Sequence, residues 1–208
     1  MLVTAIERRK KALRAVYLDG VLAADVDADT LALSGLRVGD EITRQAFDDL
    51  CAQSDLARAK SRALFLLNRR SYSKKELFEK VRAASGAQAA QAAVDRMEEL
   101  GLVNDLDYAR RFAADCLHLK KYGVARILQE LSRRGIDRDT ARLALEPLAP
   151  EDPAEQIAAL LQTKFSRNRE DEKGKRRTIA ALQRMGYRWD DIRRAMRQSW
   201  EERLESQE

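Results

Sequence analysis

The sequence predicts a mainly α-helical protein, an elongated array of three tandem three-helix repeats of helix-turn-helix type behind a small strand-rich segment with a β-hairpin. Three observations predict this fold. Residues 120–137 return as residues 171–188, at a fixed period of 51 residues, which indicates a repeated supersecondary unit. From residue 43 onward, apolar residues recur at helical spacing. Before residue 40 they alternate with polar residues, as strands do.

The first segment is predicted over residues 1–55. Its runs "VTAIERR", "ALRAVYLDG" and "VLAADVD" alternate like strands, and Asp19-Gly20 supplies the positive φ angles of a two-residue hairpin turn. Asp27 is then expected to cap a short helix that Gly35 ends. Thr43 is expected to cap a long helical stretch.

The three repeats are predicted at residues 56–104, 105–149 and 150–208. Each has a leading helix, a middle helix bounded by glycine and a closing helix. Ser73 and Glu76 form a capping box at the first middle helix. The leading helices are predicted at residues 56–69, 107–120 and 154–165, and the closing helices at 91–100, 138–145 and 189–200. The middle helices bury Leu77, Phe78 and Val81; Ile127, Leu128 and Leu131; and Ile179 and Leu182.

All three prolines of the chain fall in "PLAPEDP", at Pro147, Pro150 and Pro153. Proline ends helices and removes a backbone donor. We therefore expect a hinge between the second and third repeats, which would let the third repeat change its angle.

Composition points to a folded protein with an anionic partner. The 208 residues are 45% hydrophobic and carry a net charge of +5. Residues 1–55 hold 7 basic and 10 acidic residues, residues 56–149 hold 19 and 12, and residues 150–208 hold 13 and 12. The positive charge therefore lies in the repeats. No apolar run nears the roughly 20 residues of a membrane helix, and no signal peptide is recognisable, so we expect a cytoplasmic protein that contacts no membrane.

Catalytic and metal-binding patterns are missing. Cys51, Cys116 and His118 are the only residues of their types, too few for a zinc site or a disulfide framework. The phosphate-binding motif GxxxxGK[ST] does not occur. Asp105 and Asp107 alone cannot hold a metal ion. We expect a protein that is not an enzyme and that needs no cofactor or metal.

Several residues have structural interpretations. Gly101, Gly135 and Gly186 are predicted to end helices and to contact nothing. Glu130 is predicted to pair with Arg126 or Arg134. The aromatic rings of Tyr108, Tyr122 and Tyr187 are expected to close small helical cores rather than to stack on bases.

One set of arginines is harder to explain by folding alone. At 100° per residue, Arg126 and Arg133 share the face opposite the apolar side of the second middle helix. Arg177 and Arg184 repeat this arrangement 51 residues later. The recurrence predicts a basic outer stripe on the second and third repeats.

The segments "LLNRRSYSKKELFEKV", "GLVNDLDYARRF" and "KYGVARILQELSRRGI" resemble successive signatures of the RecX family, regulators of the RecA recombinase. "RRTIAALQRMGYRWDDIRRAM" resembles the third-repeat signature, although Met185 stands where a basic residue like Arg134 is expected. The resemblance spans residues 56–200, and the strand-rich start resembles an extension found in only part of that family.

This resemblance implies a monomeric regulator that binds RecA and its filament on single-stranded DNA. It would inhibit recombinase, ATPase and coprotease activity in DNA repair and recombination, with weak direct DNA binding. The residues expected to contact RecA or DNA are Arg69, Arg70, Lys74, Lys75, Lys120, Lys121, Arg126, Arg133, Arg134, Lys175, Arg176, Arg177 and Arg184.

Two other functions stay open. A helix-turn-helix transcriptional regulator would place each closing helix in the DNA major groove. The acidic starts of these helices, at Asp137 and Asp190, oppose groove entry, but Arg193, Arg194 and Arg197 keep this alternative open for the third repeat. A purely structural scaffold would show no preference for nucleoprotein filaments.

Overall fold

The computed structural model describes residues 1–10, 12–149, 152–166 and 172–205, with side chains described up to residue 198. This part of the chain contains three strands and ten helices. It forms two compact units, Met1–Asn104 and Asp105–Glu208. The mainly α-helical class with a small N-terminal sheet is confirmed.

The N-terminal sheet is a three-stranded antiparallel meander. Strands β1 (Val3–Arg8), β2 (Leu13–Leu18) and β3 (Val21–Asp27) lie in the order β1-β2-β3. Asp19 and Gly20 have φ angles of 49° and 83°, which confirms the predicted hairpin turn.

Helix α1 (Ala28–Ser34) begins and ends as predicted. The Asp27 carboxylate accepts from the Thr30 backbone N–H at 3.0 Å, and Gly35 ends the helix with φ 71°. These capping contacts satisfy backbone groups that the helix itself leaves unpaired.

Helix α2 (Arg44–Leu67) is a single helix of 24 residues. The Thr43 hydroxyl caps it by accepting from the Ala46 N–H at 3.2 Å. Phe47 and Leu50 pack under the sheet, while Ala63 and Leu66 belong to the core of the first repeat. The predicted division at residue 55 falls inside α2, because its sequence contains no glycine or proline that would end a helix.

The first repeat continues with α3 (Lys74–Ser85) and α4 (Ala87–Glu99). Ser73 Oγ accepts from the Glu76 N–H at 3.2 Å, as expected for the start of α3. Gly86, with φ 77°, joins the two helices. The predicted apolar residues Leu77 and Val81 are fully buried.

The second repeat consists of α5 (Asp105–His118), α6 (Val124–Arg133) and α7 (Arg138–Leu145). Ile127 and Leu131 are fully buried, as predicted. Gly135 follows α6 with φ 81°, and the Asp137 carboxylate caps α7 by accepting from the Thr140 N–H at 2.9 Å.

The third repeat consists of α8 (Pro153–Gln162), α9 (Glu172–Arg184) and α10 (Trp189–Glu205). Pro153 occupies the start of α8, where a missing backbone N–H is tolerated. Leu182 is fully buried, and Met185 is buried in the same core.

Repeats two and three touch through two glycines of the second unit. The Gly123 N–H donates to the Met185 carbonyl at 2.8 Å. A Cβ atom on Gly123 would overlap the Gly186 carbonyl oxygen, and one on Gly186 would overlap Arg126 Cβ. Gly186 does end α9 in a left-handed conformation, with φ 93°. The prediction that it contacts nothing is wrong, because its missing side chain lets the two repeats approach.

The tyrosines close helical cores, as predicted. Tyr108 and Tyr187 are buried, and Tyr122 packs against the cores of both repeats two and three. The Tyr187 hydroxyl donates to the Lys121 carbonyl at 3.0 Å, and burial raises the pKa of Tyr187 to about 12.

The expected hinge between the second and third repeats stays a prediction, because Pro150 lies outside the described residues. A change of angle between these repeats would have to break the hydrogen bond from Tyr187 to the Lys121 carbonyl and the one from Gly123 to the Met185 carbonyl.

Candidate functional site

The predicted basic residues of the first repeat flank one turn. Arg69 and Arg70 follow α2, and Lys74 and Lys75 begin α3. The turn between them is anchored inward by Tyr72, which is buried. The four cations therefore lie on the two sides of a turn whose aromatic residue is buried.

Three of these cations already have neighbours. The Arg69 guanidinium lies 5.5 Å from the centre of the Phe65 ring. Arg70 lies over the Tyr72 ring at 3.7 Å and donates to the Glu76 carboxylate at 3.2 Å. Lys74 pairs with Glu98, and Lys75 is exposed.

In the second repeat, three predicted arginines converge on one carboxylate. The Glu130 carboxylate forms ion pairs with Arg126 at 2.7 Å, Arg133 at 3.2 Å and Arg134 at 3.0 Å. Its side chain is only 15% exposed. Hydrogen bonding from Arg134, aided by the charges of Arg126 and Arg133, lowers the pKa of Glu130. The predicted pairing of Glu130 is confirmed.

This cluster changes the interpretation of the stripe. The Arg133 side chain is 57% exposed, but that of Arg126 is 31% exposed and contacts Gly186 of the next repeat. The expectation that burial does not explain Arg126 is therefore wrong. Arg134 lies 4.1 Å from the centre of the Phe112 ring, so packing accounts for much of its position as well.

Lys120 and Lys121 follow α5 and are exposed. The Lys120 ammonium lies 5.5 Å from the Phe112 ring centre and 5.8 Å from that of Tyr122. Lys121 has a φ of 55°, and its carbonyl accepts from Tyr187. Its backbone therefore belongs to the contact between the repeats.

The third repeat presents a different surface. Lys175 pairs with Glu172 at 2.7 Å. Arg176, Arg177 and Arg184 are exposed on α9, and among the described residues they form no ion pair. The position that corresponds to Glu130 is Ala181, so α9 has no carboxylate where α6 has one. The buried Met185 takes the place of Arg134.

A cleft between α9 and α10 was missed by the sequence-based prediction. It has a volume of about 270 Å³ and a Trp189 side chain that is 48% exposed. The sequence did contain a signal for it. Trp189 stands 51 residues after Arg138, so an aromatic residue replaces a charged one at the same position of the repeat. The other residues that line it are Glu172, Lys175, Arg176, Ile179, Arg193, Met196 and Arg197.

A second basic cluster was also missed, at the loop between β1 and β2. This cluster consists of Arg8, Arg9, Lys10 and Arg14. In the strand register, Arg8 lies directly opposite Arg14. The signal was the run "RRKKALR", which the acidic total of residues 1–55 concealed.

The closing helices keep their acidic starts. The Asp137 carboxylate is engaged as the α7 cap, and hydrogen bonds from Thr140 lower its pKa. In α10, Arg194 is bound by Asp152 at 2.6 Å and by Asp191 at 3.3 Å. Entry of these helix starts into a DNA groove would bring carboxylates towards phosphates, which is unfavourable.

The described residues contain no group of three or more histidine, cysteine or carboxylate side chains that could hold a metal ion. Over the same residues, no helix is long and apolar enough to cross a membrane. Cys51 is half-buried and Cys116 is buried; both are free thiols, and burial raises the pKa of both.

Comparison with known proteins addresses the fold and the family. Two family models match: the second three-helix domain of RecX over residues 104–145 and the third over residues 151–196. A crystal structure of regulatory protein RecX superimposes with a TM-score of 0.65 at 22% identity, over 92% of this chain and 97% of the other. RecX from Lactobacillus salivarius gives a TM-score of 0.62 at 22% identity, over 70% and 96%.

Sequence relatives extend over nearly the whole chain. Regulatory protein RecX of Caldanaerobacter subterraneus subsp. tengcongensis is 30% identical over 199 residues, which cover 94% of this chain and 98% of the relative. Regulatory protein RecX of Clostridioides difficile is 25% identical over 199 residues, with 94% of each chain covered. These relatives are named as regulatory proteins and not as enzymes. Together with the repeated three-helix domains, they show that the chain belongs to the RecX family.

Proposed function

We propose that the protein binds the RecA recombinase and its filament on single-stranded DNA, and that it inhibits recombinase, ATPase and coprotease activity. The observation that carries the proposal is the row of exposed arginines on α9. Arg176, Arg177 and Arg184 find no carboxylate among the described residues. Unpaired guanidiniums on a rigid helix are suited to phosphates or carboxylates of a partner.

Family membership supports a regulatory role without chemistry of its own. A nucleoprotein filament offers both DNA phosphates and protein carboxylates in a regular array. A protein with cations on successive repeats can meet several of these groups at once, and each contact adds to the binding free energy. Inhibition then follows if the bound protein stabilises a filament state that does not hydrolyse ATP.

The repeats differ in what they can contribute. In the second repeat, Glu130 neutralises part of the charge of Arg126, Arg133 and Arg134. In the third repeat, the corresponding position is Ala181, and Arg176, Arg177 and Arg184 pair with no carboxylate of the described residues. We therefore assign the larger share of filament binding to the third repeat.

The test is a titration of the protein into RecA that hydrolyses ATP on single-stranded DNA. The rate should fall as the protein is added and should approach a low plateau. A transcriptional regulator or a structural scaffold would leave the rate unchanged. An unchanged rate at saturating protein, with RecA filaments verified by light scattering, would exclude the proposed function.

A further inference from the structure

The face of α6 that receives the third repeat has a counterpart on α9. Val124, Ala125 and Leu128 line a pocket together with Pro153 and Tyr187 of the third repeat. They are apolar, as expected for the surface on which a neighbouring repeat stacks. The corresponding positions of α9, 51 residues later, are Lys175, Arg176 and Ile179.

In the third repeat this counterpart face is an open cleft. Two of its three apolar positions have become cationic, so stacking of another apolar repeat would bury unpaired charge. Polar residues are common on the outer face of a terminal repeat. A purely solvated cap, however, does not account for Trp189, which is 48% exposed, while Ile179 and Met196 beside it pack into the core of the third repeat.

The charge of the cleft favours an anion with a flat apolar part. Four cations line it against one carboxylate, and that carboxylate, Glu172, is already bound to Lys175 at 2.7 Å. Arg176, Arg193 and Arg197 form no ion pair within the part of the chain that the structure describes. The carboxylates of an acidic peptide would satisfy the guanidiniums but would not stack on the indole. Single-stranded nucleic acid satisfies both, because bases stack on aromatic rings while phosphates meet arginine.

We propose that this cleft binds single-stranded nucleic acid, with one base stacked on the Trp189 indole and neighbouring phosphates on Arg176, Arg193 and Arg197. The proposal extends the proposed function, but it concerns free nucleic acid and is tested without RecA. A protein that fails to inhibit RecA can therefore still confirm it, and the reverse also holds.

The experiment uses tryptophan fluorescence. The chain has two tryptophans, so Trp200→Phe leaves Trp189 as the sole indole. Titration of this variant with an oligothymidylate should quench its emission, as expected for stacking. Trp189→Ala should weaken binding, followed by fluorescence anisotropy of a labelled oligonucleotide, by about 10-fold. Trp189→Phe should recover most of the affinity, because a phenyl ring still stacks.

Two further variants keep the test independent of how Trp189→Ala folds. Arg176→Gln with Arg197→Gln changes only exposed positions and should reduce the log-log salt slope of binding by about 0.7 per lost phosphate contact. Arg138→Gln, at the position equivalent to Trp189 in the second repeat, is the matched control and should bind like the parent protein.

Three outcomes would overturn the proposal. The first is an oligonucleotide that binds without quenching Trp189. The second is an unchanged salt slope for the double arginine variant. The third is equal quenching by a polyglutamate peptide of the same net charge, which would assign the cleft to acidic protein segments instead.

Discussion

The second and third repeats carry arginines at the same register but use them differently. On α6, Arg126, Arg133 and Arg134 share the Glu130 carboxylate, and Arg126 is partly covered by Gly186. On α9, Arg177 and Arg184 match Arg126 and Arg133, but the position that matches Glu130 is Ala181, which has no carboxylate. The acidic residue Glu130 and the neighbouring Gly186 therefore make the α6 arginines part of the fold, whereas the α9 arginines pair with no carboxylate of the described residues.

The difference shows what an internal repeat preserves. In the middle and closing helices the buried positions recur at a period of 51 residues, as does the glycine that follows the middle helix, and they build the same scaffold. The chemistry of each surface depends on residues that do not recur. A repeated arginine is consequently weak support for a repeated function until its neighbours are known.

The largest effect is expected from the glycines at the contact between these repeats. Gly186→Ala introduces a Cβ that overlaps Arg126 at a φ of 93°. We expect a loss of about 3 kcal/mol in the free energy of unfolding, from overpacking together with left-handed strain. Chemical denaturation measures it.

Gly101→Ala is the matched control for this substitution. Its φ is 69°, but a Cβ there meets nothing within 4 Å. It should lose only the conformational part, about 1 to 2 kcal/mol. Equal losses in the two variants would show that the contact between the repeats adds nothing to stability.

A second comparison sets the two arginine pairs against each other. Arg177→Gln with Arg184→Gln should raise the protein concentration needed for half-inhibition of RecA about 10-fold, equivalent to roughly 1.4 kcal/mol. Arg126→Gln with Arg133→Gln should have a smaller effect, because Glu130 already neutralises part of that charge. The measurement is RecA ATP hydrolysis on single-stranded DNA, with circular dichroism to verify folding. A larger loss for the second-repeat pair would reverse our assignment.

Glu130 should make stability depend on pH. Its pKa is lowered in the folded state, so its contribution is fully present above the unfolded value of about 4.3 and is lost as the pH falls through the lower folded value. We expect Glu130→Gln to lose about 1 kcal/mol at pH 7, within the range of exposed to partly buried ion pairs. Urea unfolding from pH 7 to pH 3 should show a smaller decline for the variant than for the parent protein. Parallel declines would mean that Glu130 is not the titrating group.

The smallest expected effect comes from giving α9 the carboxylate that it lacks. Ala181→Glu copies the position of Glu130 and should draw Arg177 and Arg184 into ion pairs. Inhibition of RecA should weaken roughly threefold, about 0.7 kcal/mol. Ala181→Gln, of similar size but without charge, separates electrostatics from packing. The same weakening in both variants would contradict an electrostatic cause.

Much of the scaffold could be predicted from the sequence, because it depends on local rules. The caps at Asp27, Thr43 and Ser73 are where the pattern places them, and α7 has the predicted bounds Arg138–Leu145. The buried faces of the middle helices follow from helical spacing alone. Pairing of Glu130 could be predicted because its partners lie within one turn of the same helix.

The rest depends on how helices cross, which local patterns do not specify. A glycine after a helix has the same sequence pattern whether or not another backbone packs against it, so the role of Gly186 at the contact was hidden. The Trp189 cleft takes its walls from both α9 and α10. Its cations could be located in the sequence, but their arrangement around an indole could not.

Helix α2 makes the N-terminal sheet and the first repeat thermodynamically inseparable. Its first turns complete one hydrophobic core and its last turns complete another, along a single rod of about 36 Å at 1.5 Å per residue. Detaching the sheet would expose Phe47 and Leu50 and fray the helix from that end, which removes support from Ala59 and the core beyond it. The unit Met1–Asn104 should therefore melt in one cooperative transition, as a single foldon and not as two modules.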